Sequence, residues 1–89
     1  MLLEEQQTLS LSVELLELLG LNKREAEVLF GVFQGKSNKE IAAMWNLSSG
    51  TIKKYMEHIY QKLEVQNRAA AVTCALARLG MISNINSLS

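Results

Sequence analysis

Residues 48–63 read S-S-G-T-I-K-K-Y-M-E-H-I-Y-Q-K-L. Apolar side chains recur at Ile52, Met56, Ile59 and Leu63, which sets one apolar stripe along a helix. Lys53, Lys54, Glu57, His58 and Gln61 fall on the other side. Ser48 is placed to act as N-cap, with Thr51 inside the first turn. The stretch therefore predicts a helix with a buried face and an outward face of long, hydrogen-bonding side chains. A helix lying in a DNA major groove needs that arrangement: an apolar face on a scaffold, an N-terminal turn toward phosphates, outer side chains at base edges. Any amphipathic surface helix with a basic start has the same pattern, and the flanking sequence must decide between the two.

Immediately upstream, Ser37 and Glu40 form the spacing of a capping box. The helix they open turns Ile41, Ala42 and Trp45 inward and ends at Asn46-Leu47. Only a tight turn separates Trp45 from Ser48, so two short helices follow each other as a helix-turn-helix. Before them, Asn22 and Glu25 form another capping box. That helix offers Ala26, Leu29, Phe30 and Phe33 as its core face and closes at Gly35. Gly31 in its middle costs about 1 kcal/mol against alanine, which points to a place where another backbone comes close. Downstream, the 48–63 helix should stop at Leu63-Glu64-Val65, and Asn67 should cap a last helix running to Gly80. Val72, Ala75, Leu76 and Leu79 can pack on the domain. Ala70, Ala71, Cys74, Ala77 and Arg78 form a second side of small residues, a candidate seam for a second copy or simply an alanine-rich exposed face.

Residues 1–20 are rich in Leu and Glu. Ser12 to Leu19 reads as a short helix closed by Gly20. Leu9, Leu11, Val13, Leu15, Leu16, Leu18 and Leu19 are too many for one face, so some are expected to dock on the domain or on a partner. Residues 81–89 read as a flexible Ser/Asn-containing tail. The organisation expected is an N-terminal helical extension over 1–20, a helix-turn-helix domain over 21–80, and the tail.

The chain has 89 residues and zero formal net charge, but the charge is split. Residues 1–20 hold Glu4, Glu5, Glu14 and Glu17 and no Lys or Arg; the rest holds nine Lys and Arg against five Glu. The basic part can hold phosphates. One cysteine, Cys74, excludes an intramolecular disulfide and a Cys-based zinc site, and one histidine excludes a His cluster. No glycine-rich phosphate loop and no Ser/His/Asp set is present, so no catalytic residue, metal or cofactor is expected. His58 is read as a surface or phosphate-facing residue. No apolar run approaches the roughly 18 residues of a membrane span. The acidic start is unlike a signal peptide, and a cytoplasmic protein is expected.

Four motifs in order, L-N-K-R-E-A-E-V-L, G-K-S-N-K-E-I-A, S-x-x-T-I-K-x-Y-x-x-x-I-Y-x-K-L and V-x-N-R-A-A-A-V, resemble the LuxR-type helix-turn-helix over about residues 21–80. The resemblance implies an all-α, four-helix DNA-binding domain, here with the extra N-terminal segment. It implies a bacterial transcription regulator that binds double-stranded DNA as a homodimer through its last helix. Carried over residue by residue, it gives Lys53, Lys54 and Glu57 as base contacts. Ser37, Asn38, Lys39, Ser48 and Thr51 become phosphate contacts, and Glu25, Ile41, Ala42, Ile52, Ile59, Leu63 and Val65 structural positions. The family commonly has Pro where Lys23 stands, His where Tyr55 stands and Gly where Glu64 stands. Glu57 stands where a neutral or basic residue is common. It is expected to pair with Lys53, Lys54 or Gln61 one turn away, the alternative being acceptance from a cytosine amino group. Without a receiver or ligand-binding domain in the sequence, a stand-alone regulator is expected. Cys74 in the seam suggests an intermolecular Cys74–Cys74 disulfide, with a thiol-disulfide reductant as partner and redox control of DNA binding. The rival function is a protein-interaction module that pairs with other regulators and does not bind DNA; zero net charge and Glu57 favour it, and Lys39, Lys53 and Lys54 favour DNA.

Overall fold

The computed structural model describes residues 12–80, and every regular element among them is helical. The five helices are α1 (Val13–Glu17), α2 (Lys23–Phe33), α3 (Asn38–Met44), α4 (Ser49–Leu63) and α5 (Arg68–Arg78). Leu9, Leu11, the rest of residues 1–11 and the tail 81–89 lie outside the described residues.

Every helix starts where a side chain satisfies one of its orphan N–H groups. Ser12 Oγ accepts from Leu15 N at 3.2 Å, and Asn67 Oδ1 accepts from Ala70 N at 2.8 Å. Both capping boxes close: Asn22 with Glu25, and Ser37 with Glu40. Ser48 Oγ accepts from Thr51 N at 3.2 Å and lies 3.0 Å from Thr51 Oγ1. The stops are equally local. Gly35, at φ +84°, lets Lys36 N bond Gly31 O and its own N–H bond Val32 O, a Schellman turn. Asn46, at φ 57°, ends α3 the same way, with Leu47 N on Ala42 O. Glu64 ends α4 at φ 60°, the left-handed position where a non-glycine costs about 1 kcal/mol.

Helix α4 is the centre of the fold: α2, α3 and α5 all pack on it. Its stripe, Ile52, Met56, Ile59 and Leu63, is buried as the periodicity predicts. Leu29 and Val28 of α2, Ile41 of α3, and Ala71 and Ala75 of α5 join it in one buried core. Helix α1 docks on α2 in its own chain and buries Leu16 completely, while Val13, Leu15 and Leu19 are half-buried and Leu18 stays 75% exposed.

Three expectations for the core are corrected. The deep face of α2 is Ala26, Val28, Leu29 and Val32, and Phe30 and Phe33 are only half-buried on its flanks. Gly31 faces a side chain rather than a backbone: a Cβ built there would meet Ile41 Cγ1 at 2.9 Å. Ala71, expected in an outward seam, is fully buried inside the monomer.

Candidate nucleic-acid interface

The packing of α4 sorts the basic side chains of the domain into two sets. Five are engaged within the protein. Arg24 lies over the Trp45 ring, 4.6 Å from its centroid, with Nε 3.7 Å from Glu27 Oε1. Lys36 Nζ donates to Gln34 Oε1, Lys62 Nζ to Glu25 Oε1, and Arg78 Nη2 to the Leu63 carbonyl. Arg68 donates to Asn38 Oδ1 and to the Lys36 carbonyl. Lys23, Lys39, Lys53 and Lys54 are exposed and have no hydrogen bond or ion pair among the described residues. Three of those four stand on α3 and α4, the two helices of the helix-turn-helix.

Lys53 and Lys54 follow buried Ile52 directly, so the stripe that holds α4 to the core also turns them outward. Glu57 and His58 are exposed on the next turn. The expected pairing of Glu57 with Lys53, Lys54 or Gln61 is not formed: its carboxylate has no partner among the described residues. At the start of α4, Ser48 is exposed and Thr51 half-buried, their hydroxyls bonded to each other. At the start of α3, Ser37 and Lys39 are exposed, and Asn38 is half-buried with its side-chain oxygen held by Arg68.

The far end of α4 is anchored from two sides. On one, Glu25 is 3% exposed and its Oε1 accepts from both the Asn22 backbone N–H and Lys62 Nζ. Burial pushes this carboxyl up; the hydrogen bonds from Lys62 and Asn22, with the charges of Lys62 and His58, pull further the other way and hold it below its ordinary value. On the other side, the Leu63 carbonyl accepts from Arg78 at 3.1 Å and lies 3.7 Å from Cys74 Sγ. Arg78 and Cys74, both expected in the seam with a second copy, thus touch their own α4. Ala70 is half-buried and Ala77 exposed on the same helix.

The sequence reading missed Lys62, Arg68 and the Arg24–Trp45 stack. Arg68 stands in the quoted V-x-N-R motif, but its partner Asn38 is 30 residues away and no periodicity joins them. Among the described residues no group of His, Cys, Asp and Glu could hold a metal ion, and no helix is long and apolar enough to cross a membrane.

A capped helix, a tight turn and a second helix anchored by its apolar stripe, with unpaired lysines outward, define a helix-turn-helix domain. The chain belongs to the bacterial regulatory proteins of the luxR family, whose GerE domain matches residues 19–75. It is 44% identical over 55 residues to the putative HTH-type transcriptional regulator YhjB of Escherichia coli (strain K12), covering 62% of this chain and 28% of that one. It is 49% identical over 53 residues to the transcriptional regulatory protein DesR of Bacillus subtilis (strain 168), covering 60% and 27%. It is 40% identical over 60 residues to the nitrate/nitrite response regulator protein NarP of Escherichia coli (strain K12), covering 67% and 28%. The matched stretch thus spans little more than a quarter of each of these relatives. No solved structure matches the chain significantly.

Proposed function

We propose that this protein is a sequence-specific transcription regulator that binds double-stranded DNA with α4 in the major groove. The observation that carries the reading is the sorting of cations. Three of the four lysines not used by the fold stand on α3 and α4, within a domain whose relatives are named as transcriptional regulators. In this reading Lys53, Lys54 and Glu57 meet base edges. Ser37, Asn38, Lys39, Ser48, Thr51 and His58 meet the phosphate backbone. Residues 21–80 form the DNA-binding unit, and the protein works in the cytoplasm.

The experiment is a shift of promoter fragments at low salt. Lys53→Ala and Lys54→Ala should each weaken binding roughly ten- to hundredfold and alter sequence preference. Lys39→Ala should weaken all sequences alike and lower the salt slope by about one. Binding that is unmoved by all three substitutions would refute the assignment.

A homodimer closing through the outer side of α5, at half-buried Ala70 and exposed Ala77, would match a two-fold DNA site. Where such a seam brings two copies of Cys74 together, an external two-electron oxidant such as a peroxide would join the two thiols as a disulfide with loss of both thiol protons, and a thiol-disulfide reductant would reverse it, making dimerisation redox-dependent. A dimer band on non-reducing gels, absent in Cys74→Ser, is the expected result; monomer alone, with unchanged operator affinity, refutes redox control. The second reading, a module that pairs with other regulators without DNA, is favoured by the unpaired Glu57 on the outer face of α4. It calls for no shift of any duplex at low salt.

A further inference from the structure

Helix α5 begins with a side chain that the set of DNA contacts above leaves out. Arg68 is half-buried, and its guanidinium reaches back to the segment that opens α3. Nη1 donates to Asn38 Oδ1 at 2.8 Å, and Nη2 donates to the Lys36 carbonyl. A guanidinium has five donors and no acceptor. The side of the Asn38 amide that faces it must therefore be the oxygen, because a flipped amide would set N–H against N–H. Asn38 Nδ2 is thereby turned the other way. It has no partner in the protein, and among the described residues the one buried unpaired side-chain polar atom is Arg24 Nη1, so Nδ2 is open to water.

We propose that Arg68 is a positioning residue for DNA binding. By holding the Asn38 oxygen, it fixes the amide with both N–H donors outward, set to meet a phosphate oxygen of the duplex. The inference rests on the DNA-binding reading and adds a residue to it. Arg68 touches no DNA itself. Its second bond, to the Lys36 carbonyl, holds the strand of chain that leads into Ser37 and Lys39 against α5. A contact made to phosphate carries no base identity, so its loss should be felt by every sequence.

The test is a double-mutant cycle on the full chain: wild type, Arg68→Gln, Asn38→Ala and both together. Each is titrated at low salt with the same promoter duplex, and its thermal unfolding is measured alongside. Glutamine can donate or accept, so it no longer dictates which way Asn38 faces. With Asn38 in place, Arg68→Gln should weaken binding about tenfold, the scale of one hydrogen bond to a charged group. In the Asn38→Ala background the same change should cost no more than about threefold, the share due to lost positive charge. Equal losses in both backgrounds overturn the proposal. Should Arg68→Gln unfold, Asn38→Asp answers in its place. It keeps an acceptor for Arg68 but has no donor, and must lose affinity for all sequences; undiminished binding overturns the proposal. A wild type that shifts no duplex removes the DNA-binding reading and this inference with it. A wild type that binds, with an additive cycle, removes this inference alone.

Discussion

Lys62 Nζ lies 2.7 Å from Glu25 Oε1, and that same oxygen accepts from the Asn22 backbone N–H at 3.0 Å. One carboxylate therefore caps the start of α2 and holds the last turn of α4. Glu25 is buried, while the Lys62 side chain is 42% exposed, so solvent screens part of the attraction. Glu25→Gln keeps an acceptor for the cap and removes the charge. It should lower stability at neutral pH by about 1–2 kcal/mol, read by thermal or urea unfolding. Lys62→Met should cost at least as much, because it leaves a buried carboxylate without its cation.

The same pair fixes the sign of a pH effect. The folded Glu25 carboxyl is held below its ordinary value, so folding favours its ionised form. Its contribution is fully present above the unfolded pKa and is lost as pH falls through the folded one. The stability gap between wild type and Glu25→Gln should therefore hold from neutral pH down to the usual glutamate value, about 4.3, and narrow below it. A gap that stays constant down to about pH 3, well below the usual glutamate value, would show that the charge of Glu25 contributes nothing.

What could be read from the sequence divides by distance along the chain. Asn22 and Glu25, Ser37 and Glu40, and Ser48 and Thr51 are each three residues apart, and every one of these caps is in place. The apolar stripe of α4 is set by spacing alone and is fully buried. Pairs joined only by tertiary packing left no such trace: Glu25 with Lys62, Asn38 with Arg68, Leu63 with Arg78. Phe30 and Phe33 follow from the helical spacing of Ala26 and Leu29, yet the fold buries Val28 and Val32, which that spacing does not mark. Ala71 was assigned to an outer seam because it is small. Small side chains also let α5 approach its own α4, and that contact is the one the fold makes.

Gly31 tests the close packing of α2 on α3. Alanine there would gain about 1 kcal/mol of helix preference. Its Cβ would stand 2.9 Å from Ile41 Cγ1 and 3.1 Å from Cδ1. Overpacking of this kind costs about 1–3 kcal/mol, so Gly31→Ala should be net destabilising by about 1 kcal/mol. In an Ile41→Ala background the obstruction is gone and the same substitution should become stabilising. Unfolding curves of the four proteins decide it; a penalty that persists without Ile41 would place the strain elsewhere.

Ala77 separates the fold from the proposed seam. It is exposed on α5, so a longer polar side chain costs the monomer within about 0.5 kcal/mol. In a two-fold contact the new carboxylate would meet its own copy. Ala77→Glu should then sediment as a monomer with unchanged melting, and its affinity for a paired site should fall to that for a half-site. A dimer that survives Ala77→Glu would move the seam off this face of α5.

Glu57 distinguishes between two physical roles for an acid on the outer face of α4. Its carboxylate is exposed and unpaired, so no lysine neutralises it. Near a duplex it repels phosphate, and removing it should raise affinity for arbitrary DNA a few-fold at low salt. A carboxylate can also accept from the N4 amino group of cytosine in the major groove. If it does so, Glu57→Ala should lose the preference for cytosine at one position of the site while binding other sequences better. Selection of bound sequences by wild type and variant gives both quantities at once. The expected result is a general gain in affinity together with loss of preference at a single base pair. A general gain with every preference intact would place Glu57 beside the backbone, and a uniform loss would contradict both roles.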